Sequence, residues 1–150
     1  MNRLIFGGVV AAFAVVCGAA DTAATLKWFD RNVYGPIPPK PAEISFALME
    51  EGAAFGGEAV RRQYRIVSRN AGASNVIDVL VYLPPNLRGP VPAFVCPNFY
   101  GNHTATEDEK VFLPSCRPYK VKVLPRGSKS TRLCVKDVLD RGYVFATYCY

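Results

Sequence analysis

Alternating apolar and polar residues predict β-strands in the first half of the chain. Ile44 to Leu48 alternates apolar with small residues, and Val60 to Ser68 separates into two faces. The apolar face carries Val60, Tyr64 and Ile66, and the polar face carries Arg61, Gln63 and Arg65. This pattern predicts an antiparallel strand with one buried and one solvent-facing side.

Three further apolar segments predict strands of different kinds. Gly72 and Asn75 mark a turn, and Val76 to Leu83 follows as a strand that Pro84-Pro85-Asn86 ends. Val91 to Cys96 and Tyr143 to Tyr150 are continuous apolar runs, which are typical of strands buried on both faces of a parallel sheet.

One segment near the end of the chain has helical periodicity. Leu133, Val135, Val138 and Leu139 fall close to helical spacing and predict a helix over Thr131 to Arg141, with Gly142 as its stop. The order of elements predicts an α/β fold, and the antiparallel start favours the mixed sheet of α/β-hydrolases. One helix cannot cover both faces of such a sheet, so we expect the fold to continue past Tyr150.

The first 43 residues are interpreted separately from this domain. Residues 1–20 have a basic start, about 13 apolar residues and small residues for cleavage, which predicts a signal peptide and a secreted or periplasmic protein. A lipoprotein anchored at Cys17 is the alternative. Residues 21–43 are predicted to form an extended, Pro-rich strap with Trp28 and Phe29 as anchors.

Composition narrows the function classes. Half of the 150 residues are apolar, which excludes a disordered chain. The net charge of +6 favours acidic partners. A single His excludes a histidine-rich metal site, and the cysteines lack the Cys-x-x-Cys spacing of zinc sites, so we expect no metal or cofactor. Export and few aromatics in the basic region argue against nucleic acid, and no membrane contact is expected after cleavage of the signal peptide.

Several blocks of sequence resemble the glucuronoyl esterases, family fifteen of the carbohydrate esterases. The blocks run in the family's order at residues 29–39, 78–84, 90–95, 98–104 and 140–147. The resemblance implies that residues 44–150 are the N-terminal part of an α/β-hydrolase domain, with a basic loop insertion at 105–130. It also implies a serine esterase that cleaves glucuronate esters linking xylan to lignin, with glucuronoxylan as partner. The alternatives are an acetylxylan-type esterase on the same fold and a non-catalytic carbohydrate-binding protein.

No catalytic residue of that family is expected within this chain. The family's nucleophile sits in a Gly-Cys-Ser-Arg elbow that follows a later strand, and its acid and His follow in turn. The serines present lack the Gly-x-Ser-x-Gly frame of a nucleophile elbow. They are Ser45, Ser68, Ser74, Ser115, Ser128 and Ser130.

The segment from Asn98 to Thr104 is the candidate site. In an α/β-hydrolase the loop at this position provides one oxyanion-hole amide, so the backbone amides of Tyr100 and Gly101 are expected to face the active site. A structural loop in which Asn102 and His103 bind backbone groups is the alternative. His103 is not expected to be the base, because the triad His comes last in chain order. Asn102-His103-Thr104 also matches a glycosylation sequon, interpreted as accidental.

The residues after this loop are basic. Arg117, Lys120, Lys122, Arg126, Lys129 and Arg132 lie between Val111 and Val135 without an acidic residue. They predict either attraction of uronate-bearing polysaccharide or a solvated loop without a role. Four cysteines remain after signal cleavage, and the resemblance favours disulfides Cys96–Cys149 and Cys116–Cys134, with free buried thiols as the alternative.

Overall fold

The computed structural model describes residues 21–35, 37, 39–115 and 122–150. The predicted signal peptide, Cys17, Cys116, Arg117 and Lys120 lie outside the described residues. The described residues fall into two compact units, a first unit that ends at Lys40 and a second unit that begins at Pro41. Within the described part, no helix is both long and apolar enough to cross a membrane.

The described start of the first unit is helical. Helix α1 spans Thr22–Phe29 and continues into a π-helical turn at Asp30–Tyr34. The carboxylate of Asp21 caps α1 by accepting hydrogen bonds from the amides of the second and third residues after it. The sequence-based prediction of an extended strap over 21–43 is therefore wrong for this part. The rings of Trp28 and Phe29 pack edge to face at 5.3 Å, but both side chains stay largely exposed.

The second unit is a five-stranded mixed sheet. Its strands are β1 (Glu43–Ala54), β2 (Ala59–Asn70), β3 (Ala73–Leu83), β4 (Ala93–Pro97) and β5 (Val144–Tyr148). In space they are ordered β1-β2-β3-β5-β4. The pairs β1/β2, β2/β3 and β3/β5 are antiparallel, whereas β4/β5 is parallel. This arrangement confirms the predicted mixed sheet, which matches part of the α/β-hydrolase fold.

A β-bulge divides β1 into two parts. Leu48 pairs with Tyr64, and Glu50 pairs with Gln63, so Met49 is the extra residue. Residues before the bulge keep the expected alternation, with Phe46 and Leu48 on the same face. The bulge places Glu50 on the opposite face, beside the polar residues of β2.

The two faces of the sheet differ in burial. On the face that we call the covered face, Leu80, Tyr82 and Phe145 are fully buried. They pack with residues that follow β4 in the chain, namely Ala105, Val111, Val135 and Leu139. The other, open face carries apolar side chains that remain exposed, including Phe46 at 71%, Leu48 at 52% and Val95 at 62%.

Two sequence-based predictions about burial are wrong. Arg61 and Gln63, predicted to face solvent, are buried on the covered face because they bind carboxylate and backbone groups there. The strand β4, predicted to be buried on both faces, leaves Phe94 and Val95 more than half exposed. Among the described strands it pairs with β5 alone and forms an edge of the sheet.

The predicted helix near the end of the chain is present but divided. Helix α2 spans Ser130–Leu133 and helix α3 spans Val135–Asp140, separated by Cys134 in the left-handed conformation at φ 48°. Gly142, at φ 77°, ends α3 as predicted. Its amide and that of Tyr143 donate back to the last turn of α3 in a Schellman motif, which directs the chain into β5.

Candidate functional site

The segment 98–104 lies at the carboxyl end of the parallel pair β4/β5. The amide of Asn98 donates to the carbonyl of Tyr148 at 2.9 Å, which extends the pairing one residue beyond β4. The chain then leaves the sheet and forms a 3-10 turn at Asn102–Thr104. Ligands bind at this end of the strands in open α/β sheets. The fold therefore places the candidate loop where the sequence predicted it.

The side chain of Asn98 organises this 98–104 loop from within. Asn98 is 6% exposed, and its Nδ2 donates to the carbonyl of Gly101 at 2.9 Å and to Oγ1 of Thr104 at 3.0 Å. Its Oδ1 accepts the amide of Tyr100 at 3.1 Å. The Thr104 hydroxyl also donates to the carbonyl of Gly101, at 2.8 Å. One buried amide side chain thus fixes both ends of the loop.

The amides of Tyr100 and Gly101 both donate inside the loop. Tyr100 donates to the Asn98 side chain at 3.1 Å, and Gly101 donates to the Asn98 carbonyl at 3.4 Å. The sequence analysis expected both amides to face the active site. In this structure the first is well engaged and the second makes a long, weak bond. Their role toward a ligand stays a prediction.

The backbone at Gly101 requires glycine. Its φ of 96° is a backbone angle that residues with a side chain rarely adopt. A Cβ built at this position would also lie 3.0 Å from Nδ1 of His103 and 3.2 Å from Cγ of Pro114. Backbone strain and crowding therefore act together at this residue.

His103 is a buried link between the loop and the segment 122–130. It is 1% exposed, and its Nε2 lies 2.9 Å from the carbonyl of Leu124. A carbonyl can only accept, so Nε2 donates in this hydrogen bond. Among the described residues Nδ1 has no hydrogen-bond partner. The His103 carbonyl accepts the amide of Gly127 at 3.2 Å, which adds a second link.

Asn102 is also directed into the protein. Its Nδ2 donates to the carbonyl of Asp78 on β3 at 2.8 Å, and the residue is 8% exposed. A glycosylation enzyme could not reach this nitrogen in the folded chain, which agrees with an accidental sequon. Its Oδ1 is buried and has no partner among the described residues. It lies beside a small cavity that Asp78 and Ser115 also line.

Sequence reasoning missed a buried ion cluster that holds the segment after the loop. Arg61, 3% exposed, binds both carboxylate oxygens of Glu50 at 2.5 and 2.8 Å, and Asp108 at 2.5 Å. Gln63 donates to Glu50 at 2.9 Å and to the carbonyl of Lys110 at 3.0 Å. We call these four side chains the Arg61 cluster. It ties residues 108–112 to the covered face, directly after the loop.

The Arg61 cluster and its neighbours have shifted ionisation. The hydrogen bond from Arg61 lowers the pKa of Glu50, and the hydrogen bond from Arg65 lowers the pKa of Asp78. Burial raises the pKa of Tyr82, whose hydroxyl lies 2.8 Å from Oγ1 of Thr106. The sequence showed that Arg61 and Gln63 lie on one face of β2. It did not show that this face is buried, because the burial depends on a carboxylate that β1 supplies.

The basic segment divides into structural and exposed cations. Arg126 donates to the carbonyls of Asp108 and Val111 at 3.2 and 2.7 Å, which gives it a structural role. Lys122 and Arg132 are exposed. Lys129 lies over the ring of Tyr100, with Nζ 4.4 Å from the ring centroid.

Cys96, which was predicted to pair with Cys149, is not in a disulfide, and Cys116, the predicted partner of Cys134, lies outside the described residues. Cys96 and Cys134 are free thiols. The register pairs Cys96 with Thr147, so Cys149 lies two residues further along the chain, just after β5, and its Sγ is 3.8 Å from the carbonyl of Phe99. Cys134 is exposed between α2 and α3, where its thiol contacts the carbonyl of Thr131. Cys149 itself is buried.

The fold and the position of the loop define part of an α/β-hydrolase, and the comparisons confirm the resemblance to glucuronoyl esterases. A glucuronoyl esterase from Solibacter usitatus superimposes with a TM-score of 0.72 at 29% identity, over 85% of this chain and 34% of its own. A promiscuous esterase of carbohydrate esterase family fifteen from a marine bacterial metagenome gives 0.68 at 28% identity, with the same coverage. No family model matches the chain.

A curated relative gives the same result. The chain is 30% identical over 132 residues to a carbohydrate esterase from an unknown prokaryotic organism. That match covers 81% of this chain and 31% of the relative. The chain thus spans about a third of the length of the relatives it matches.

Proposed function

We propose that this chain is part of a secreted serine esterase that cleaves glucuronate esters in plant cell-wall xylan. The observation that carries the proposal is the location of the 98–104 loop at the carboxyl end of β4, within a sheet similar to that of a glucuronoyl esterase. Ligands bind at this end of α/β sheets, and the loop after this strand lines the oxyanion side of α/β-hydrolase sites.

In this proposal the described residues shape the site and do not carry out the chemistry. A serine would attack the ester carbonyl, with a histidine as base and an acid orienting it, all from outside this chain. The 98–104 loop forms the wall on the oxyanion side, and its rigidity comes from Asn98, His103 and Thr104. Gly101 allows the substrate to approach the backbone closely, because it has no side chain.

The substrate class can be tested on the purified natural protein with matched esters. We expect hydrolysis of the methyl ester of glucuronic acid and labelling of one serine by a fluorophosphonate. Release of acetate from acetylated xylan without cleavage of the glucuronate ester would favour the acetylxylan-type alternative. Binding to xylan without labelling or hydrolysis would favour the non-catalytic alternative.

Secretion is a separate part of the proposal. Residues 1–20 carry the sequence features of a signal peptide. We expect the mature protein outside the cytoplasm to begin near Asp21. N-terminal sequencing of the exported protein checks this, and a mature chain that begins at a lipid-modified Cys17 would indicate the lipoprotein alternative.

A further inference from the structure

A second pocket opens beside the 98–104 loop, at the carboxyl ends of β4 and β5. Its wall includes Asn98, Tyr100, Lys129, Arg132 and Tyr150. None of the described residues that line it is acidic. The pocket therefore combines aromatic surface with two cations at the end of the sheet where ligands bind.

The two cations are held on the same side of the pocket. The amide of Lys129 donates to the carbonyl of Thr104 at 2.9 Å, which fixes the start of α2 against the loop. Arg132 follows three residues later, and its amide donates to the carbonyl of Lys129 at 3.0 Å. Side chains three residues apart on a helical turn are neighbours.

Neither cation is neutralised by a carboxylate in the described part of the chain. The ion pairs found there use Arg61, Arg62, Arg65, Arg69 and Lys136, but not Lys129 or Arg132. Lys129 contacts the face of Tyr100 instead. Both cations can thus accept an anion without breaking an existing ion pair.

Aromatic rings continue the pocket around these cations. Phe99 lies between Tyr100 and Tyr150, with ring centroids 5.4 and 5.8 Å away. Phe99 and Tyr150 remain 39% and 68% exposed. An exposed aromatic platform next to cations suits a ligand that has both an apolar ring face and a negative charge.

We propose that this pocket binds the free carboxylate of a uronic acid unit, with the carboxylate on Arg132 and Lys129 and the sugar ring against Tyr100 and Tyr150. The guanidinium of Arg132 supplies a donor fork that matches a carboxylate, and Lys129 adds a point charge. The pocket is a subsite for an unesterified acidic sugar, distinct from the uncharged ester group that reacts.

This inference rests on the proposed function for its substrate class and is tested separately by binding. Calorimetry on the purified natural protein measures the affinity for sodium glucuronate, with glucose, glucuronamide and sodium acetate as comparison ligands. We expect glucuronate to bind more tightly than all three. We also expect the affinity to fall when the salt concentration rises, because the contact is exposed and ionic.

Variants locate the binding. Arg132→Gln and Lys129→Gln should each weaken glucuronate binding by about three- to fivefold, the upper part of the range of an exposed charge contact. Lys122→Gln is the matched control: it removes the same charge from the same basic segment, outside the pocket, and should change the affinity less than twofold. Unchanged melting temperatures exclude misfolding in these exposed positions.

Three results would overturn the inference. Equal binding of acetate would mean a simple anion contact, equal binding of the uncharged glucuronamide would mean that the carboxylate is not recognised, and equal loss in Lys122→Gln would mean nonspecific charge attraction. If the protein hydrolyses glucuronate esters but Arg132→Gln binds glucuronate as tightly as the natural protein, this subsite alone is rejected. Binding that depends on Arg132 without ester hydrolysis would reject only the proposed function.

Discussion

Nδ1 of His103 lies directly against Gly101, 3.0 Å from the position that a Cβ of that residue would occupy. Gly101 also has a φ of 96°, so a side chain there would be both strained and crowded. We expect Gly101→Ala to destabilise the natural protein by about 2–4 kcal/mol, from about 1 kcal/mol or more of backbone strain and about 1–3 of overpacking. Urea unfolding measures this.

Gly89 provides the control for that change. Its φ is 76°, but no atom lies within 4 Å of a Cβ built there. Gly89→Ala should therefore show the strain alone, about 1 kcal/mol. Equal losses in the two variants would mean that the contact with His103 carries no energy.

Gly101→Val should reduce turnover of a glucuronate ester as well, and His103→Ala should reduce it less than loss of a true catalytic base.

Removing the cation of the Arg61 cluster should lower the free energy of unfolding far more than removing the cation of the exposed Arg62–Glu51 pair. Arg61 is 3% exposed and binds Glu50 and Asp108, so Arg61→Met leaves two carboxylates without their cation. We expect a loss of about 3–5 kcal/mol in the free energy of unfolding. The adjacent pair Arg62–Glu51 has side chains 39% and 46% exposed. Arg62→Met should cost at most about 1 kcal/mol, and an equal loss in both variants would contradict the argument.

Stability should fall in acid because two carboxylates are held in their charged form. The pKa of Glu50 lies below its ordinary 4.5 and that of Asp78 below its ordinary 3.8. The unfolded chain therefore binds more protons than the folded chain below about pH 5, and stability is lost as the pH falls from there. Unfolding free energies between pH 6 and about 3 check this. Glu50→Gln should flatten the curve, and an unchanged slope in that variant would contradict it.

A polypeptide of these 150 residues should bind the dye ANS and show no esterase activity. The open face of the sheet leaves Phe46, Leu48 and Val95 more than half exposed, and such apolar surface binds the dye and promotes association. Dye fluorescence, light scattering and a glucuronate methyl ester assay test this. A sharp melt of soluble monomer without dye binding, or turnover abolished by mutating one of its serines, would contradict it.

Local patterns predicted the elements of the second unit well. Alternation located β2, a turn and a proline breaker bounded β3, helical spacing and Gly142 located the end of α3, and the order of elements predicted the mixed sheet. These features depend on neighbouring residues, which sequence displays directly. Helix α1 was not predicted, because the Pro-rich segment after Tyr34 favoured an extended structure. Asp21, however, is a good helix cap.

Features that depend on distant partners could not be predicted. Arg61 and Gln63 were assigned to solvent because a polar residue is normally exposed, and their partners lie 8 to 49 residues away. The hydrogen bonds that Asn98 makes within the loop also depend on a backbone conformation at Gly101 that sequence does not specify. The sequence could place the candidate loop after β4, but it could not show which of its groups already make hydrogen bonds.

The bulge at Met49 determines which face of the sheet the later side chains of β1 occupy. Upstream of Met49 the strand presents Phe46 and Leu48 to one side, and downstream it presents Glu50 to the other. If the same residues followed an uninterrupted two-residue repeat without the bulge, every side chain after Met49 would lie on the opposite face of the sheet. The carboxylate would then leave Arg61, whose guanidinium has no solvent to replace it. In this strand the bulge alone, without any change in residue type, decides whether the buried guanidinium of Arg61 keeps its carboxylate partner.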